Sequence, residues 1–367
     1  MSHRAFITGA LICMACALGA VPQPRELARG RQPQATVDPR GTIHVTYADD
    51  HNTIWMTASS DGGNAFGEPA RVITLDQKLA LGMRRGPRVA ASGNAIAVTY
   101  IAGQRGGGKD ENVYAVRSTD GGKTWSEPRQ INTTAGSARE GLHALASDSN
   151  QKLLCVWLDL REGPMQVWGA LSSDAGKTWG DNVRIYRAPH GSICDCCHPS
   201  VASDGKGGWL VMFRNHIAGN RDMYVVRSAD GRAWSDATKL GSASWKLPGC
   251  PMDGGAIATG ATGKEGAIAA YRRQSELFTC AIDDATKETK IAQGASPAIV
   301  VGAGGPTVAY LTSPMRGDLM IATGSDVTKL AEQANDPILI LGHGGPLAIW
   351  ESNGRVYTAI LINGQRP

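Results

Sequence analysis

An aromatic residue ends an apolar run at nearly the same register seven times along this 367-residue chain. The seven residues are Tyr47, Tyr100, Trp157, Phe213, Tyr271, Tyr310 and Trp350. The runs are short, rich in β-branched and aromatic residues, and bounded by Gly, Asn and Asp, which is typical of β-strands. No window of useful length has the 3.6-residue period of an amphipathic helix. A repeat of this size indicates one supersecondary unit that is used many times over.

A turn motif, Ser-x-Asp-x-Gly-x-Thr-Trp, follows the third strand of several units. It is intact at 118–125 and 172–179, partial at 59–66, one residue short at 228–234, and decayed from Asp284 onward. Its Asp can accept hydrogen bonds from the backbone of its own turn, and its Gly can adopt a positive φ. The motif resembles the Asp-box, or BNR repeat, of the sialidase superfamily, and the resemblance covers nearly the whole mature chain. The resemblance implies that these turns are structural and lie on the face away from an active site.

Four-stranded sheets repeated radially form a β-propeller. We therefore predict an all-β fold, a propeller of four-stranded antiparallel blades in one domain over residues 21–367. The aromatic register favours seven blades. Six blades with an irregular cap is the alternative, because sialidases have six. The last unit lacks a fourth strand, and residues 25–29 are predicted to supply it and close the ring, which removes exposed sheet edges.

The N-terminus has the features of a secretory signal, with Arg4 before an apolar stretch and small residues before Val21. Residues 1–20 are predicted to be a signal peptide, so we expect export to the periplasm or the exterior. A lipid anchor at Cys16 is the less favoured alternative. The stretch is shorter than the ~20 residues of a membrane span, and no other segment of the sequence could be one. A net charge of +4 without a Lys/Arg run argues against a nucleic-acid partner. We expect a monomer.

In a propeller, the loops before the first strand and after the second strand of each blade open on one face, here called the upper face. The sequence places most of its charged loop residues there. The candidate ligand-binding residues are Arg85, His143, Arg161, Arg214, Asn215, Arg221, Asp222 and Arg272. Blades three, four and five are neighbours, so their loops are expected to converge.

Arg161, Arg214 and Arg272 occupy equivalent places in three successive blades. Planar guanidinium groups bind carboxylates through two parallel hydrogen bonds. Sialidases place three arginines around the substrate carboxylate, so the resemblance implies that role for this trio. The alternative is an ordinary ion-pair role, for example between Arg161 and Asp159.

The resemblance also implies a Tyr nucleophile with a neighbouring carboxylate and an Asp acid. Candidate catalytic residues are Asp159, Asp253, Tyr271 and Glu351, and Asp49, Asp50 and Asp222 are further carboxylates near strand ends. The sequence departs from the family because the Phe/Tyr-Arg-Ile-Pro element is missing. The leading hypothesis is an exported sialidase-like propeller that binds, or also hydrolyses, an anionic glycan. A non-catalytic interaction scaffold is one rival.

Four cysteines occur near the start of blades four and five: Cys194, Cys196, Cys197 and Cys250. In an oxidising compartment disulfides are expected, and four cysteines allow three complete pairings. A bridge from the run 194–197 to Cys250 would join blades four and five. The other interpretations are a copper or zinc site that also uses His198, and a redox-active thiol pair. A metal-binding exported protein is therefore the second rival to the glycan hypothesis.

Overall fold

The computed structural model describes residues 22–148, 150–260 and 266–361. The predicted signal peptide and Cys16 lie outside the described residues. Within those ranges, no helix is long and apolar enough to cross a membrane.

Strand pairing organises the described chain into seven antiparallel four-stranded blades, in agreement with the predicted propeller. Blade one contains β2 (Arg31–Val37), β3 (Ile43–Ala48), β4 (Thr53–Ser59) and β5 (Ala70–Thr74). Blade two contains β7 (Arg88–Ser92), β8 (Ala95–Gly103), β9 (Asn112–Ser118) and β10 (Arg129–Gln130), with a short extra strand, β6 (Lys78–Leu79), beside β8. Blade three contains β11 (His143–Ser147), β12 (Leu153–Asp159), β13 (Gln166–Ser172) and β14 (Val183–Tyr186).

The remaining blades follow the same order. Blade four contains β15 (Ser200–Ser203), β16 (Trp209–Arg214), β17 (Met223–Ser228) and β18 (Thr238–Lys239). Blade five contains β19 (Ala256–Thr259), β20 (Ala267–Arg273), β21 (Glu276–Ala281) and β22 (Glu288–Gln293), with a 3-10 turn at Ile282–Asp284. Blade six contains β23 (Ala295–Gly302), β24 (Gly305–Leu311), β25 (Gly317–Thr323) and the first part of β26 (Asp326–Gly342). The second part of β26 belongs to blade seven with β27 (Gly345–Ser352), β28 (Arg355–Ile360) and β1 (Arg25–Arg29).

The ring is closed by the N-terminal strand. β1 pairs antiparallel with β28, with Arg25 opposite Thr358 and Arg29 opposite Arg355. The first strands β2, β7, β11, β15, β19, β23 and then β26 contact one another in that order, and β26 returns to β2. The predicted closure is therefore confirmed, and blade seven is completed by a strand from the other end of the chain.

The repeated aromatic residues are packing residues. Trp157 and Trp350 are almost completely buried, and the Tyr100 and Tyr114 rings stack at 5.5 Å between centroids. A single blade cannot bury its own two faces, so each aromatic side chain fills the space against a neighbouring blade or strand. Burial of one such side chain stabilises the fold by about 1.5–3 kcal/mol.

The Asp-box turns are held by their own side chains. Asp174 accepts a hydrogen bond from the Thr178 backbone N–H at 2.8 Å and another from the Ser172 hydroxyl at 2.8 Å. Burial opposes ionisation of Asp174, but these hydrogen bonds outweigh it and hold its pKa below the usual value. Gly176 has φ of +83°, which favours glycine. The motif therefore acts as a local structural clamp.

Candidate functional site on the upper face

The loops that begin blades four and five meet on the upper face. The Cys194 N–H donates to the Arg214 carbonyl at 3.0 Å, and Cys196 forms a disulfide with Cys250. The bridge joins positions 54 residues apart, as the predicted link between blades four and five requires. The cysteine run and the Arg214 neighbourhood thus lie on the same side of the ring.

Four sulfur atoms from these loops form one cluster, here called the sulfur centre: Cys194, Cys196, Cys197 and Cys250. All four Sγ atoms lie within 4.8 Å of one another, and the Cys194 Sγ lies 3.1 Å from the Cys197 Sγ. Cys194 and Cys197 are buried and unbridged, Cys196 is half-buried and Cys250 is exposed. In this state two of the four sulfurs are bonded to each other, so only Cys194 and Cys197 retain thiol groups.

A buried cation adjoins the sulfur centre. Arg214 donates from Nε to the Asp253 carbonyl at 2.9 Å, from Nη1 to the Arg221 carbonyl and from Nη2 to the Arg272 carbonyl. Among the described residues, no carboxylate forms an ion pair with Arg214. Its guanidinium is therefore held by backbone carbonyls, with no carboxylate in direct contact.

The two free thiols have opposite electrostatic environments. The hydrogen bond from Cys197 and the charges of Arg214 and Arg221 lower the pKa of Cys194 to about 7, although burial opposes this. Burial and the neighbouring Cys194 raise the pKa of Cys197 well above its usual value. Cys194 is thus the sulfur that ionises first.

The predicted trio of arginines does not form a single pocket. Arg214 and Arg272 adjoin, with guanidinium carbons 5.4 and 5.2 Å from the Trp245 ring centroid. Arg161 instead pairs with Asp159 at 2.8 Å and lies over the ring of Trp168. All three guanidinium groups thus have protein partners in this structure. Their role in binding a carboxylate stays a prediction.

Three of the four catalytic candidates are committed to structural contacts. Asp159 accepts hydrogen bonds from Ser137, Trp157 and Arg161, and is fully buried. Asp253 pairs with Arg272 at 2.7 Å.

Tyr271 packs in the apolar core shared by blades four and five and donates its hydroxyl to Glu288 at 2.6 Å. Burial and the hydrogen bond to Glu288 raise the pKa of this phenol far above its usual value. A phenol that resists ionisation is a poor nucleophile, so these contacts disfavour the catalytic role of Tyr271, which stays a prediction.

Three other predicted ligand-binding residues form hydrogen bonds with neighbouring strands and loops. Asn215 donates to the Tyr186 hydroxyl, and Asp222 accepts from the Trp245 backbone. His143 is fully buried beside Thr99, and burial lowers its pKa well below the usual value.

Two further predicted residues, Arg85 and His198, precede the first strands of blades two and four. Arg85 contacts Glu140, with an ion pair of 3.4 Å. The His198 ring lies against Gly254, where any added Cβ would be 2.7 Å from its Nδ1. His198 is not among the four residues whose ligand atoms form the sulfur centre.

A groove that the sequence did not predict lies between blades seven and one. Its volume is about 520 Å³, and it is lined by Arg29, Gly30, Arg31, Tyr47, Asp49, Asp50, His51, Trp55, Pro69 and Gly354. The Trp55 indole donates to Asp49 at 2.9 Å, and Arg31 pairs with the exposed Asp50 at 3.1 Å. The sequence placed Asp49 and Asp50 at a strand end, but only the ring closure brings Arg29 and Gly354 to them.

Glu351 is buried near this groove and is the remaining catalytic candidate. It accepts a hydrogen bond from the Gln32 N–H at 3.0 Å. Burial, helped by the charges of Asp336 and Asp50, raises the pKa of Glu351. Asp49 has the opposite shift, because hydrogen bonds from Trp55, Thr53 and His51 outweigh the effect of its burial and lower its pKa.

A larger cavity, of about 670 Å³, lies on the opposite face. It is bordered by Asp61, in the Asp-box turn of blade one, and by His343, in the turn between β26 and β27.

The radial blades and their Asp-box turns define a sialidase-like β-propeller. The chain belongs to the BNR repeat-like domain family, whose model matches residues 48–248. A search of curated proteins finds no match.

Solved structures share the fold at low identity. An α-L-arabinanase from Penicillium chrysogenum, solved with arabinobiose, is 15% identical, with a TM-score of 0.57 over 91% of this chain and 93% of the other. An α-L-arabinofuranosidase from Fusarium graminearum is 13% identical, with a TM-score of 0.56 over 95% and 99%. A sialidase from Trypanosoma rangeli is 15% identical, with a TM-score of 0.52 over 91% of this chain and 55% of the other. These likenesses concern the fold alone.

Proposed function

We propose that this protein binds an anionic glycan in the groove between blades seven and one. The observation that carries the proposal is the lining of the groove, which combines the half-buried indole ring of Trp55 with the exposed charged residues Arg29 and Asp50. A volume of about 520 Å³ is within the range of small-ligand sites. Aromatic surface suits the apolar face of a sugar ring, and a guanidinium group suits a carboxylate or sulfate.

The fold relatives support carbohydrate as the ligand class. The three compared proteins are an arabinanase, an arabinofuranosidase and a sialidase. Fold alone does not determine function, so the ligand class must be tested at the groove itself.

The same region supports a hydrolytic version of the proposal. Glycoside hydrolysis commonly uses one protonated and one ionised carboxyl group. Glu351 fits the proton donor because its pKa is raised, and Asp50 fits the second carboxyl group because it is exposed in the lining of the groove. The charge of Asp50 also contributes to the raised pKa of Glu351. In this assignment Glu351 and Asp50, rather than the buried Tyr271, have the catalytic roles.

Binding is tested by titrating purified protein with sialosides and with arabino-oligosaccharides. We expect Arg29→Ala to weaken the binding of acidic glycans at least tenfold, because it removes an exposed guanidinium group of the groove, whereas Arg31 is already paired with Asp50. The matched control is Arg129→Ala, which changes an exposed arginine on β10 of blade two. No measurable binding of any glycan, or equal loss in both variants, would contradict the proposal.

Hydrolysis is tested separately with fluorogenic α-sialosides and α-L-arabinofuranosides. Loss of a general acid typically costs about 100-fold or more in rate, so Glu351→Gln and Asp50→Asn are each expected to lower kcat by that order. Asp236→Asn, an exposed carboxylate outside the groove, is the control. Binding without turnover in the unaltered protein would reject hydrolysis while leaving the glycan site in place.

A further inference from the structure

The sulfur centre has no part in the glycan proposal, and it contains an arrangement of its own. A disulfide, Cys196–Cys250, lies directly beside two free thiols. The Cys194 Sγ is 3.8 Å from the Cys196 Sγ and 3.9 Å from the Cys250 Sγ. Cys197 lies on another side of Cys194 at 3.1 Å. One sulfur is therefore in van der Waals contact with both ends of the bridge and with a second thiol.

We propose that the sulfur centre is a thiol–disulfide exchange site in which Cys194 is the internal nucleophile and Cys197 the resolving thiol. Exchange requires a thiolate next to a disulfide, and cationic neighbours favour the thiolate form. Arg214 is buried within the electrostatic reach of Cys194 and lacks a carboxylate partner among the residues described. The charges of Arg214 and Arg221 favour a thiolate at Cys194 beside the disulfide.

The exchange needs no external oxidant. The Cys194 thiolate forms a bond to the Cys250 Sγ, the Cys196–Cys250 bond breaks, and its electron pair leaves on Cys196. Cys196 then takes the proton of Cys197, and the Cys197 thiolate forms a bond to the Cys194 Sγ. The Cys194–Cys250 bond breaks and Cys250 leaves as a thiolate. One disulfide and one negative charge are present before and after.

The two end states differ in what they connect and expose. The Cys196–Cys250 bridge joins the loops of blades four and five, whereas a Cys194–Cys197 bridge lies within one turn. Cys250 is exposed in this structure, while Cys194 and Cys197 are buried. Exchange thus moves a disulfide between an accessible position and a buried one. The substrates that could reach Cys250 are thiols or disulfides of small molecules or of protein surfaces.

Disulfide mapping tests the proposal on the full-length mature protein. Free thiols are alkylated at low pH after incubation at neutral pH, and the linkages are identified by mass spectrometry of peptides. We expect three linkages in the unaltered protein: Cys196–Cys250, Cys194–Cys250 and Cys194–Cys197. Cys194→Ser should leave only Cys196–Cys250, and Cys197→Ser should raise the Cys194–Cys250 fraction severalfold because the resolving thiol is missing.

Cys280→Ser is the matched control. Cys280 is a buried free cysteine of blade five whose Sγ donates to the Ala285 carbonyl at 3.2 Å, a contact that a serine can also make. It should show the same three linkages as the unaltered protein. A single unchanging Cys196–Cys250 linkage, two simultaneous disulfides, or four thiols that hold stoichiometric copper or zinc would each overturn the proposal. The last result would instead establish the metal site.

Discussion

At the scale of the residue, Arg214 shows why a charged side chain at a strand end need not be a ligand-binding group. Its guanidinium donates to three backbone carbonyls that belong to the loops of blades four and five. A buried carbonyl without a donor costs about 1–3 kcal/mol. These three hydrogen bonds hold the loops that carry the sulfur centre.

Arg214→Lys should destabilise the protein by about 2–4 kcal/mol, because one ammonium group cannot donate to all three carbonyls at once. Thermal unfolding followed by circular dichroism measures the effect. The control variant is Arg221→Lys. Arg221 is half-buried and forms no side-chain ion pair in the described structure. An unchanged Tm together with lost glycan binding would show that Arg214 is a ligand-binding residue after all.

Asp174 provides a test of the Asp-box at the same scale. Its folded-state pKa is lowered, so its contribution to stability is present above the unfolded-state value of about 3.9 and is lost as the pH falls. Asp174→Asn should lower stability by about 1 kcal/mol near neutral pH, because the charge-assisted hydrogen bonds are weakened. The difference in Tm from the unaltered protein should shrink below about pH 4. A difference that is constant with pH would contradict this account.

At the scale of the element, the junction of β1 and β2 decides how the N-terminal strand enters the ring. Gly30 lies at this junction, and its N–H donates to the Gly354 carbonyl of blade seven at 2.9 Å. A Cβ at Gly30 would collide with the Tyr47 ring and lie 3.0 Å from the Ala48 carbonyl. The chain can therefore approach Tyr47 and Ala48 this closely only because residue 30 has no side chain.

Gly30→Ala should cost about 1–3 kcal/mol, because the Tyr47 ring is buried and has little room to move. Gly304→Ala is the control, since a Cβ there meets nothing within 4 Å. Chemical unfolding of both variants measures the difference in free energy. Equal stability of the two variants would show that the junction can adjust.

At the scale of the whole molecule, the ring depends on a strand contributed from the far end of the sequence. β1 covers the edge of β28, which would otherwise present unpaired backbone groups to solvent. Blades six and seven share the long strand β26 and so form one seven-stranded sheet, in which β1 is an edge strand. Loss of β1 would therefore affect both blades.

Deletion of residues 1–29 should lower Tm by several degrees and promote aggregation through the exposed edge of β28. The control is deletion of residues 1–21, which leaves β1 in place. Size-exclusion chromatography and thermal unfolding would compare the two proteins. Equal Tm and equal elution would contradict a closing role for β1.

The repeat pattern predicted the fold from local information. The aromatic register at Tyr100 and Trp157 marked the second strands, and the Asp-box at 118–125 marked the turn after a third strand. The disulfide between blades four and five could also be predicted from the sequence, because neighbouring blades bring their loops together. The arginine site was not predictable, because the register of Arg161 is equivalent to that of Arg214 while their hydrogen-bond partners differ.

The amino-acid sequence by itself determined the strands, the turns and the ring, since strand length, side-chain alternation and turn chemistry are local properties that each blade repeats. Only the tertiary structure decided which side chains are free to act. Carbonyls from other blades occupy the guanidinium of Arg214, the core encloses Tyr271, and ring closure creates the groove beside Glu351. The reason is that burial and hydrogen-bond partners come from residues far apart in the chain, and no local pattern records them.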